Sequence, residues 1–434
     1  MRFSGDVAAT FAARVALVGA GVASSVLTAR GLGPGGRGIL ATLGALAGIG
    51  LQMGNLGLHA SNTYQISRCR GLLGPLWGNS RRTAWSIGAA LAILTLSLAF
   101  FVPQVLGEIP LWLLLPAVAC IPFQLLILFG LNLLVGLGRV PLFNALEVTF
   151  RGIGLGALFV VLVVMQGDVR WVLLLNLAIA AGAALAVAGV LQKLLRESGG
   201  GTPRADLVLF RTSVGYGARA YTAALLAFLI VRSDMLLVNV MRGTSDAGVY
   251  SIAVQVADLI YLLPMSVGMV LFPRLTRHEE GDPVFARKVT RHTAFLLMLL
   301  CVAAGLLAKP AVALLYGAAF LPAVTALWWL LPGIWAYGVT NQIATQLASA
   351  GMPWSAVWIW IPPLLLNVAL NLSWIPRWGI LGASASSSLC YGLALVLHLV
   401  LWKRRLRGSV GDALLLRRSD LREIGALAWI TGWS

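Results

Sequence analysis

Residues 232–277 read RSDMLLVNVMRGTSDAGVYSIAVQVADLIYLLPMSVGMVLFPRLTR, and this stretch decides the fold class. One apolar run ends in a polar turn from Arg242 to Gly248, and a second apolar run of about 25 residues follows, long enough to cross a bilayer. The second run contains Asp258 and Pro264. Because a charge and a helix breaker are costly inside a membrane span, such residues usually face protein or water. The stretch therefore predicts two adjoining membrane helices with polar residues kept away from lipid.

The composition of the whole chain also points to a membrane. Of its 434 residues, 59% are hydrophobic and only 11% are charged. Soluble domains carry roughly 25% charged residues, so this chain cannot cover its surface with polar side chains. The net charge of +17 comes from basic residues in loops between apolar runs. These residues form no continuous basic face, which argues against a nucleic-acid partner.

Hydropathy along the chain predicts about twelve membrane helices, each about 20 residues long. Most of the loop Arg and Lys residues lie on the side of the N-terminus, which predicts that both termini are cytoplasmic. The predicted fold class is therefore an all-α polytopic membrane protein. The approximate helix cores are 8–29, 39–62, 83–103, 111–134, 143–166, 171–194, 210–241, 248–273, 293–316, 322–349, 354–375 and 379–402.

The two halves of the chain repeat the same landmarks. Three residues recur 207 to 213 positions later, namely Gly38 as Gly248, Gly138 as Gly351 and Arg170 as Arg377. Six helices in each half give the halves the same topology, so an axis along the membrane normal would relate them. The repeat predicts two pseudo-symmetric six-helix lobes around a central cavity. The predicted boundaries are 1–196 for the N-terminal lobe, 197–208 for a cytoplasmic linker, 209–402 for the C-terminal lobe and 403–434 for a basic cytoplasmic tail.

Motifs of nucleotide and metal chemistry are missing from the sequence. No Gly-Lys dipeptide occurs, which excludes a P-loop. The G-x-G-x-x-G match from Gly31 to Gly36 joins two membrane helices and contains Pro34, so it does not fit a dinucleotide site. The four histidines and four cysteines are scattered without metal-ligand or disulfide spacing. The sequence therefore predicts no enzyme activity, no cofactor and no metal site.

Several motifs carry a resemblance to a known family. Asp234 lies in the seventh helix, and the polar turn leads into GVYSIA from Gly248 to Ala253. The eighth helix ends in LFPRLTR, Leu271 to Arg277, and the first loop reads ARGLGPGGRGI, Ala29 to Ile39. In these motifs the chain resembles the polysaccharide transporters. These are the Wzx-type flippases for lipid-linked oligosaccharides, within the multidrug, oligosaccharidyl-lipid and polysaccharide exporter superfamily.

This resemblance implies a function and a place in the cell. It implies a flippase that moves undecaprenyl-pyrophosphate-linked oligosaccharide across the bacterial cytoplasmic membrane for surface polysaccharide biosynthesis. Transport would proceed by alternating access of the two lobes. The expected partners are the polyprenyl-pyrophosphate-linked oligosaccharide, membrane lipids and further polysaccharide-assembly proteins. In this family the first, second, seventh and eighth helices line most of the cavity.

Two arginines at membrane depth are candidate substrate-binding residues. Arg14 and Arg219 lie at nearly matching places in the repeat. An arginine near mid-bilayer costs about 2.5–3.5 kcal/mol even on lenient insertion scales. The planar guanidinium donates parallel hydrogen bonds and suits phosphate, so the resemblance implies that both receive the pyrophosphate of the carrier. In the alternative interpretation, both side chains extend to the inner headgroups.

Other polar residues within the helices have two open interpretations each. Gln52, Asn55 and His59 follow one helical face of the second span, where they contact sugar hydroxyls or join helices by hydrogen bonds. The charged candidates serve ion coupling or form fixed structural pairs, with Glu147 and Arg151 spaced i, i+4. These candidates are Asp234, Arg232, Asp258, Glu147 and Arg151.

Two other functions compete with flipping. A cation-coupled antiporter for drugs or small solutes would come from the same superfamily, but it would need an acid in the early spans of the first lobe. The first two helices carry none beyond Asp6 at the mouth. A membrane enzyme such as a polysaccharide polymerase would need a large outer loop with clustered Arg or His, and the sequence contains no such loop.

Overall fold

The computed structural model describes residues 2–197, 205–277, 283–351, 353–406, 411 and 414. Regular structure in these residues is helical, which confirms the all-α prediction. Most of the predicted linker and most of the predicted basic tail lie outside the described residues. The predicted boundaries of linker and tail therefore stay predictions.

The described residues form twelve α-helices joined by short turns. In chain order the helices are α1 (Arg2–Asn55), α2 (Leu58–Arg68), α3 (Leu73–Phe101), α4 (Leu111–Gly136), α5 (Val140–Phe159), α6 (Val169–Glu197), α7 (Leu207–Arg277), α8 (Pro283–Leu315), α9 (Pro322–Ser349), α10 (Trp354–Trp358), α11 (Ile361–Trp378) and α12 (Ile380–Leu406). Short 3-10 turns lie at Arg70–Leu72, Pro103–Leu106 and Ala318–Phe320, and a π-helical turn extends α5 over Val160–Val164.

Ten helical segments of the described chain are long and apolar enough to cross a membrane. Two of them, Ala12–Asn55 and Gly217–Phe272, contain 44 and 56 residues. At about 1.5 Å per residue, each is at least roughly twice as long as a hydrocarbon core of about 30 Å. A non-helical glycine interrupts each segment, Gly33 in α1 and Gly243 in α7. Each segment thus supplies two crossings, which confirms the prediction of about twelve and makes the chain a multi-pass membrane protein.

Helix boundaries differ from the hydropathy prediction at several places, and the eleventh predicted span, 354–375, is divided into α10 and α11. The second span, predicted as one helix over 39–62, ends at Asn55, because Leu56 and Gly57 have φ of 49° and 73°. The chain resumes as α2 at Leu58. Helices α3 and α8 begin about ten residues before their predicted apolar cores, because polar and basic residues continue a helix beyond the apolar segment that hydropathy detects.

Left-handed backbone recurs at matching turns of the two halves. Four pairs of residues with positive φ are Gly33 with Gly243, Gly107 with Gly317, Gly138 with Gly351, and Gln166 with Gly379. The first two pairs are separated by 210 residues and the last two by 213. Left-handed φ is rare outside glycine, so four coincidences at nearly one interval support the internal repeat.

Contacts divide the chain into two units. The first contains Met1–Ser251 and Leu315–Phe320, and its core packs Trp77, Phe129 and Leu125 between α3, α4 and α6. The second contains Ile252–Leu314 and Leu321–Ser434. Within the second unit, α9 packs closely on α12, where the Ser388 hydroxyl donates to the Trp329 carbonyl at 2.5 Å. These units describe packing rather than the repeat, so the predicted lobe boundaries stay a prediction.

Candidate substrate site and glycine clasp

Arg14 lies on α1 opposite Glu147 of α5. Nη1 of Arg14 is 3.6 Å from Oε2 of Glu147, and the guanidinium carbon lies 5.8 Å from the centre of the Phe143 ring. Phe143 and Glu147 are one helical turn apart, so one face of α5 meets Arg14. The side chain of Arg14 is 56% exposed and that of Glu147 is 27% exposed. The ion pair therefore lies at an open surface of the first unit.

Arg151 lies one turn beyond Glu147 on α5. Its Nη2 atom is 3.4 Å from the place that a Cβ would occupy on Gly21 of α1, so this glycine makes room for the guanidinium. Arg14 and Arg151 both act electrostatically on the Glu147 carboxylate. Arg151 is exposed near the middle of the 25-residue candidate span Val140–Val164. The face shared by α1 and α5 thus carries two cations and one anion, and Arg151 lies within the span.

Arg219 lies on a turn of α7 that packs against the break between α1 and α2. Gly217 approaches Gly57 closely, since a Cβ on Gly217 would lie 3.1 Å from the Gly57 carbonyl oxygen. The Tyr221 hydroxyl donates to the Met53 carbonyl at 2.7 Å. Arg219 itself is exposed. The fold therefore brings the turn that carries Arg219 beside the segment that carries the predicted sugar-contact residues.

Gln52, Asn55 and His59 lie on both sides of this helix break. Gln52 and His59 are half-buried, whereas Asn55 is 3% exposed. Nδ1 of His59 lies 2.8 Å from Oδ1 of Asn55, so the two side chains share a hydrogen bond across the break. One continuous helical face does not exist here. The polar groups still face each other because the break spans only Leu56 and Gly57.

Asp234 lies in α7 before its kink and contacts a residue after it. The Tyr250 hydroxyl donates to Oδ2 of Asp234 at 2.5 Å, and Asp234 is 1% exposed. The guanidinium of Arg232 lies 5.8 Å from the centre of the Phe228 ring. Asp258 is half-buried in the later part of α7 and acts electrostatically on Tyr261. The Asp234–Tyr250 contact suits a structural anchor that fixes the kink at Gly243.

Tyr250→Phe is expected to lower the free energy of unfolding by about 1.5–3 kcal/mol, the usual contribution of a hydrogen bond to a charged group. Thermal unfolding of the detergent-solubilised protein measures this change. The control is Tyr221→Phe, because that hydroxyl donates to an exposed neutral carbonyl and its loss is expected to cost about 0.5–1.5 kcal/mol. Equal shifts for the two variants would contradict an anchoring role for Asp234.

The two kinks pack directly on each other through glycine. A Cβ on Gly38 would overlap the carbonyl oxygen of Thr244, and a Cβ on Gly248 would overlap that of Pro34. Pro34 corresponds to Thr244, and Gly38 to Gly248, at the repeat interval of 210 residues. We call this reciprocal contact the glycine clasp, formed by residues 33–38 and 243–248. Only glycine at both positions lets the two backbones approach this closely.

Side chains brace the clasp on both kinks. Nε of Arg37 donates to the Ser251 hydroxyl at 3.1 Å, and its Nη1 donates to the Thr28 hydroxyl at 3.0 Å. Arg30 donates to the Leu315 carbonyl at 2.8 Å, and Asn239 donates to the Leu106 carbonyl at 2.9 Å. No pattern in the sequence singled out Arg37. The one sequence feature that pointed to the clasp was the equivalence of Gly38 and Gly248 in the repeat.

The described part of the chain contains no cluster of candidate metal ligands. No group of three or more His, Cys, Asp or Glu residues among the described positions could hold a metal ion. The sequence expectation that the protein has no metal site and no cofactor stays a prediction.

Sequence comparison relates part of the chain to a known family. Residues 145–325 match the model of a family described as polysaccharide biosynthesis protein. No curated protein matches the chain in sequence. The family match covers the end of the first half and the beginning of the second, including Glu147, Arg151 and the glycine clasp residues of α7.

Solved structures share the fold over almost the whole chain. The lipid II flippase MurJ in an inward closed conformation has a TM-score of 0.75 at 14% identity, covering 99% of this chain and 93% of that chain. An inward-facing MATE family multidrug transporter of the MOP superfamily has a TM-score of 0.70 at 13% identity, covering 89% and 94%. The MATE multidrug transporter DinF-BH has a TM-score of 0.62 at 14% identity, covering 93% and 94%. The chain therefore has the fold of these solved structures, which is the fold that the resemblance predicted.

Proposed function

We propose that this chain is a flippase for undecaprenyl-pyrophosphate-linked oligosaccharide and that it serves surface polysaccharide biosynthesis in the bacterial cytoplasmic membrane. The observation that carries the proposal is the pair of exposed arginines, Arg14 and Arg151, on one face of α1 and α5, with Arg151 near the middle of its candidate span. An arginine facing lipid there would cost about 2.5–3.5 kcal/mol or more. A water-filled path that admits an anionic headgroup removes this cost.

The chemistry of this face suits a phosphorylated lipid better than a neutral solute. Guanidinium groups stay charged and donate paired hydrogen bonds to phosphate oxygens. Gln52, Asn55 and His59 offer amide and imidazole groups for sugar hydroxyls beside the turn of Arg219. The lipid tail stays in the bilayer while the headgroup crosses. The family match to polysaccharide biosynthesis proteins supports this substrate class.

The glycine clasp supplies a contact suited to alternating access. It joins the two kinks through close backbone packing and a few hydrogen bonds. Such a contact can separate without unpacking a hydrophobic core, and inverted or parallel repeats often rock against each other in transporters. In this proposal both termini lie in the cytoplasm, so the clasp closes the outer side and opens when the headgroup is released there.

Complementation tests the flippase proposal. A strain that lacks the protein is expected to accumulate lipid-linked oligosaccharide on the inner membrane face, and the wild-type chain is expected to restore export. The double variant Arg14→Ala with Arg219→Ala is expected to reduce export by at least about tenfold, because hydrogen bonds to charged groups contribute about 1.5–3 kcal/mol each. The measurement is the amount of surface polysaccharide at matched protein levels.

Arg170→Ala is the matched control for this experiment. Arg170 is exposed and pairs with Asp168 at 3.9 Å, beside the start of α6. Its loss is expected to leave export unchanged. Full export by the double variant would show that Arg14 and Arg219 are not needed to bind the pyrophosphate of the substrate.

A cation-coupled antiporter is the second candidate function. The fold brings Glu147 from the fifth span against Arg14 of the first, and so places an acid beside an early span. A strain that exports normal glycan but becomes sensitive to toxic cations would favour this function. We place it second because two arginines outnumber the single acid at this face.

A further inference from the structure

The ion pair between Arg14 and Glu147 is incomplete. Its N–O distance of 3.6 Å is longer than the 2.7–2.9 Å that is typical of charge-assisted hydrogen bonds. Oε2 of Glu147 is buried, and no hydrogen bond to it exists among the described residues. A structural salt bridge normally satisfies its carboxylate by hydrogen bonds. Glu147 therefore neutralises charge here without a tight hydrogen-bonded pair.

The charges around Glu147 do not balance. Two guanidiniums act on one carboxylate, so a positive charge remains at this face. A pyrophosphate diester carries two negative charges and more acceptor oxygens than a carboxylate. Because arginine binds phosphate oxygens with parallel donors, such a group would match both Arg14 and Arg151.

The exposure of the three side chains gives the order in which a ligand would meet them. Arg14 and Arg151 are exposed, whereas Glu147 is half-buried, with 27% of its side chain exposed. The Phe143 ring supports the Arg14 guanidinium, and Gly21 leaves space for Arg151. An anion that approaches from the open side meets both guanidiniums before it meets the carboxylate.

We propose that Glu147 is the resident counter-anion of a two-arginine site formed by Arg14 and Arg151, and that the pyrophosphate of the substrate displaces it. This inference rests on the proposed function, since it assigns residues to headgroup recognition. When no headgroup is bound, Glu147 offsets the charge of the arginines. This lowers the free-energy cost of the conformational change that returns the empty protein to its starting state. When the headgroup must leave, Glu147 competes for the arginines and promotes release.

Binding of farnesyl pyrophosphate to the purified full-length chain in detergent tests the inference by isothermal titration calorimetry. Glu147→Gln is expected to bind about tenfold more tightly than wild type, which corresponds to ~1.4 kcal/mol. Arg151→Gln is expected to bind about tenfold more weakly. In the double variant Glu147→Gln with Arg151→Gln, the gain in affinity from Glu147→Gln should be smaller, because Glu147 and the pyrophosphate compete for Arg151. The same Glu147→Gln variant should export less polysaccharide than wild type in cells, since release slows.

Controls separate this inference from folding and from the flippase proposal. Glu147→Asp keeps the negative charge and should not show the tenfold gain in affinity of Glu147→Gln. Asp168→Asn removes a carboxylate from an exposed ion pair and should leave affinity unchanged. If Glu147→Gln binds with wild-type affinity or more weakly while wild type binds and complements, the counter-anion role is overturned and the flippase proposal stands. If wild type complements but binds no farnesyl pyrophosphate, the two-arginine site is overturned and the flippase proposal stands; if wild type fails to complement, the flippase proposal is overturned.

Inorganic pyrophosphate distinguishes a lipid headgroup from a free anion. The lipid-linked ligand is expected to bind more tightly than inorganic pyrophosphate, with the same response to Glu147→Gln. Equal affinity for the two probes would overturn the assignment to a lipid-linked ligand.

Discussion

Replacing Gly38 or Gly248 by alanine is expected to reduce polysaccharide export by about 5- to 150-fold, the range that corresponds to a coupling energy of 1–3 kcal/mol. A methyl group at either position overlaps a backbone carbonyl of the opposite kink. Backbone cannot rotate away as a side chain does, and overpacking of this kind costs about 1–3 kcal/mol. The closed clasp is therefore destabilised relative to the open state. Export in the complementation strain measures the loss.

Gly44→Ala is the control for the clasp variants. Gly44 lies on the same helix α1, and a Cβ there meets no atom within 4 Å. Alanine at this position should leave export unchanged and favour the helix by up to about 1 kcal/mol. Wild-type export by Gly38→Ala and Gly248→Ala, at matched membrane levels, would show that the clasp need not close during transport.

A disulfide across the clasp is expected to stop transport reversibly. The change is Gly35→Cys together with Thr244→Cys, since a Cβ on Gly35 would lie 3.8 Å from the Thr244 hydroxyl oxygen. In a disulfide the Cβ atoms lie about 3.5–4.5 Å apart, and the approach of position 35 to the Thr244 side chain makes these two positions the candidates for such a bridge. Oxidation should hold the two kinks together and abolish export, and a reductant should restore it. Export and non-reducing electrophoresis after protease cleavage between the two positions measure both effects.

The native cysteines could also react during oxidation and must be controlled for. Cys69 is exposed, whereas Cys120, Cys301 and Cys390 are buried. The pair is therefore introduced together with Cys69→Ser, and each single cysteine serves as a control that oxidation should not inhibit. Continued export with the cross-link fully formed would mean that transport proceeds without separation of the kinks.

Much of the architecture was predictable because it leaves local traces in the sequence. Long apolar runs mark membrane helices, and turns that need left-handed backbone keep glycine, as at Gly33 and Gly243. The equivalence of Gly38 and Gly248 was visible for the same reason. Their direct contact was not, because a repeat shows that two turns are alike without showing that they touch.

The candidate site was predictable only in part. Arg14 and Arg219 stood out because charge at membrane depth is costly. The i, i+4 spacing paired Glu147 with Arg151, whereas the structure also sets Arg14 against Glu147. That pair depends on how α1 packs against α5, and no local pattern encodes the contact. Likewise, hydropathy could not detect the break at Leu56 and Gly57, since a window of about 19 residues averages over so short a segment.

The sequence by itself determined that this protein is an all-α membrane protein with a repeated set of helices, because hydrophobic length and glycine turns are local properties. Tertiary structure alone decided which charges meet, where the two kinks interlock and which polar groups face each other across a break. Those outcomes depend on packing between helices that are distant in the chain, where backbone approach and side-chain volume select the partners.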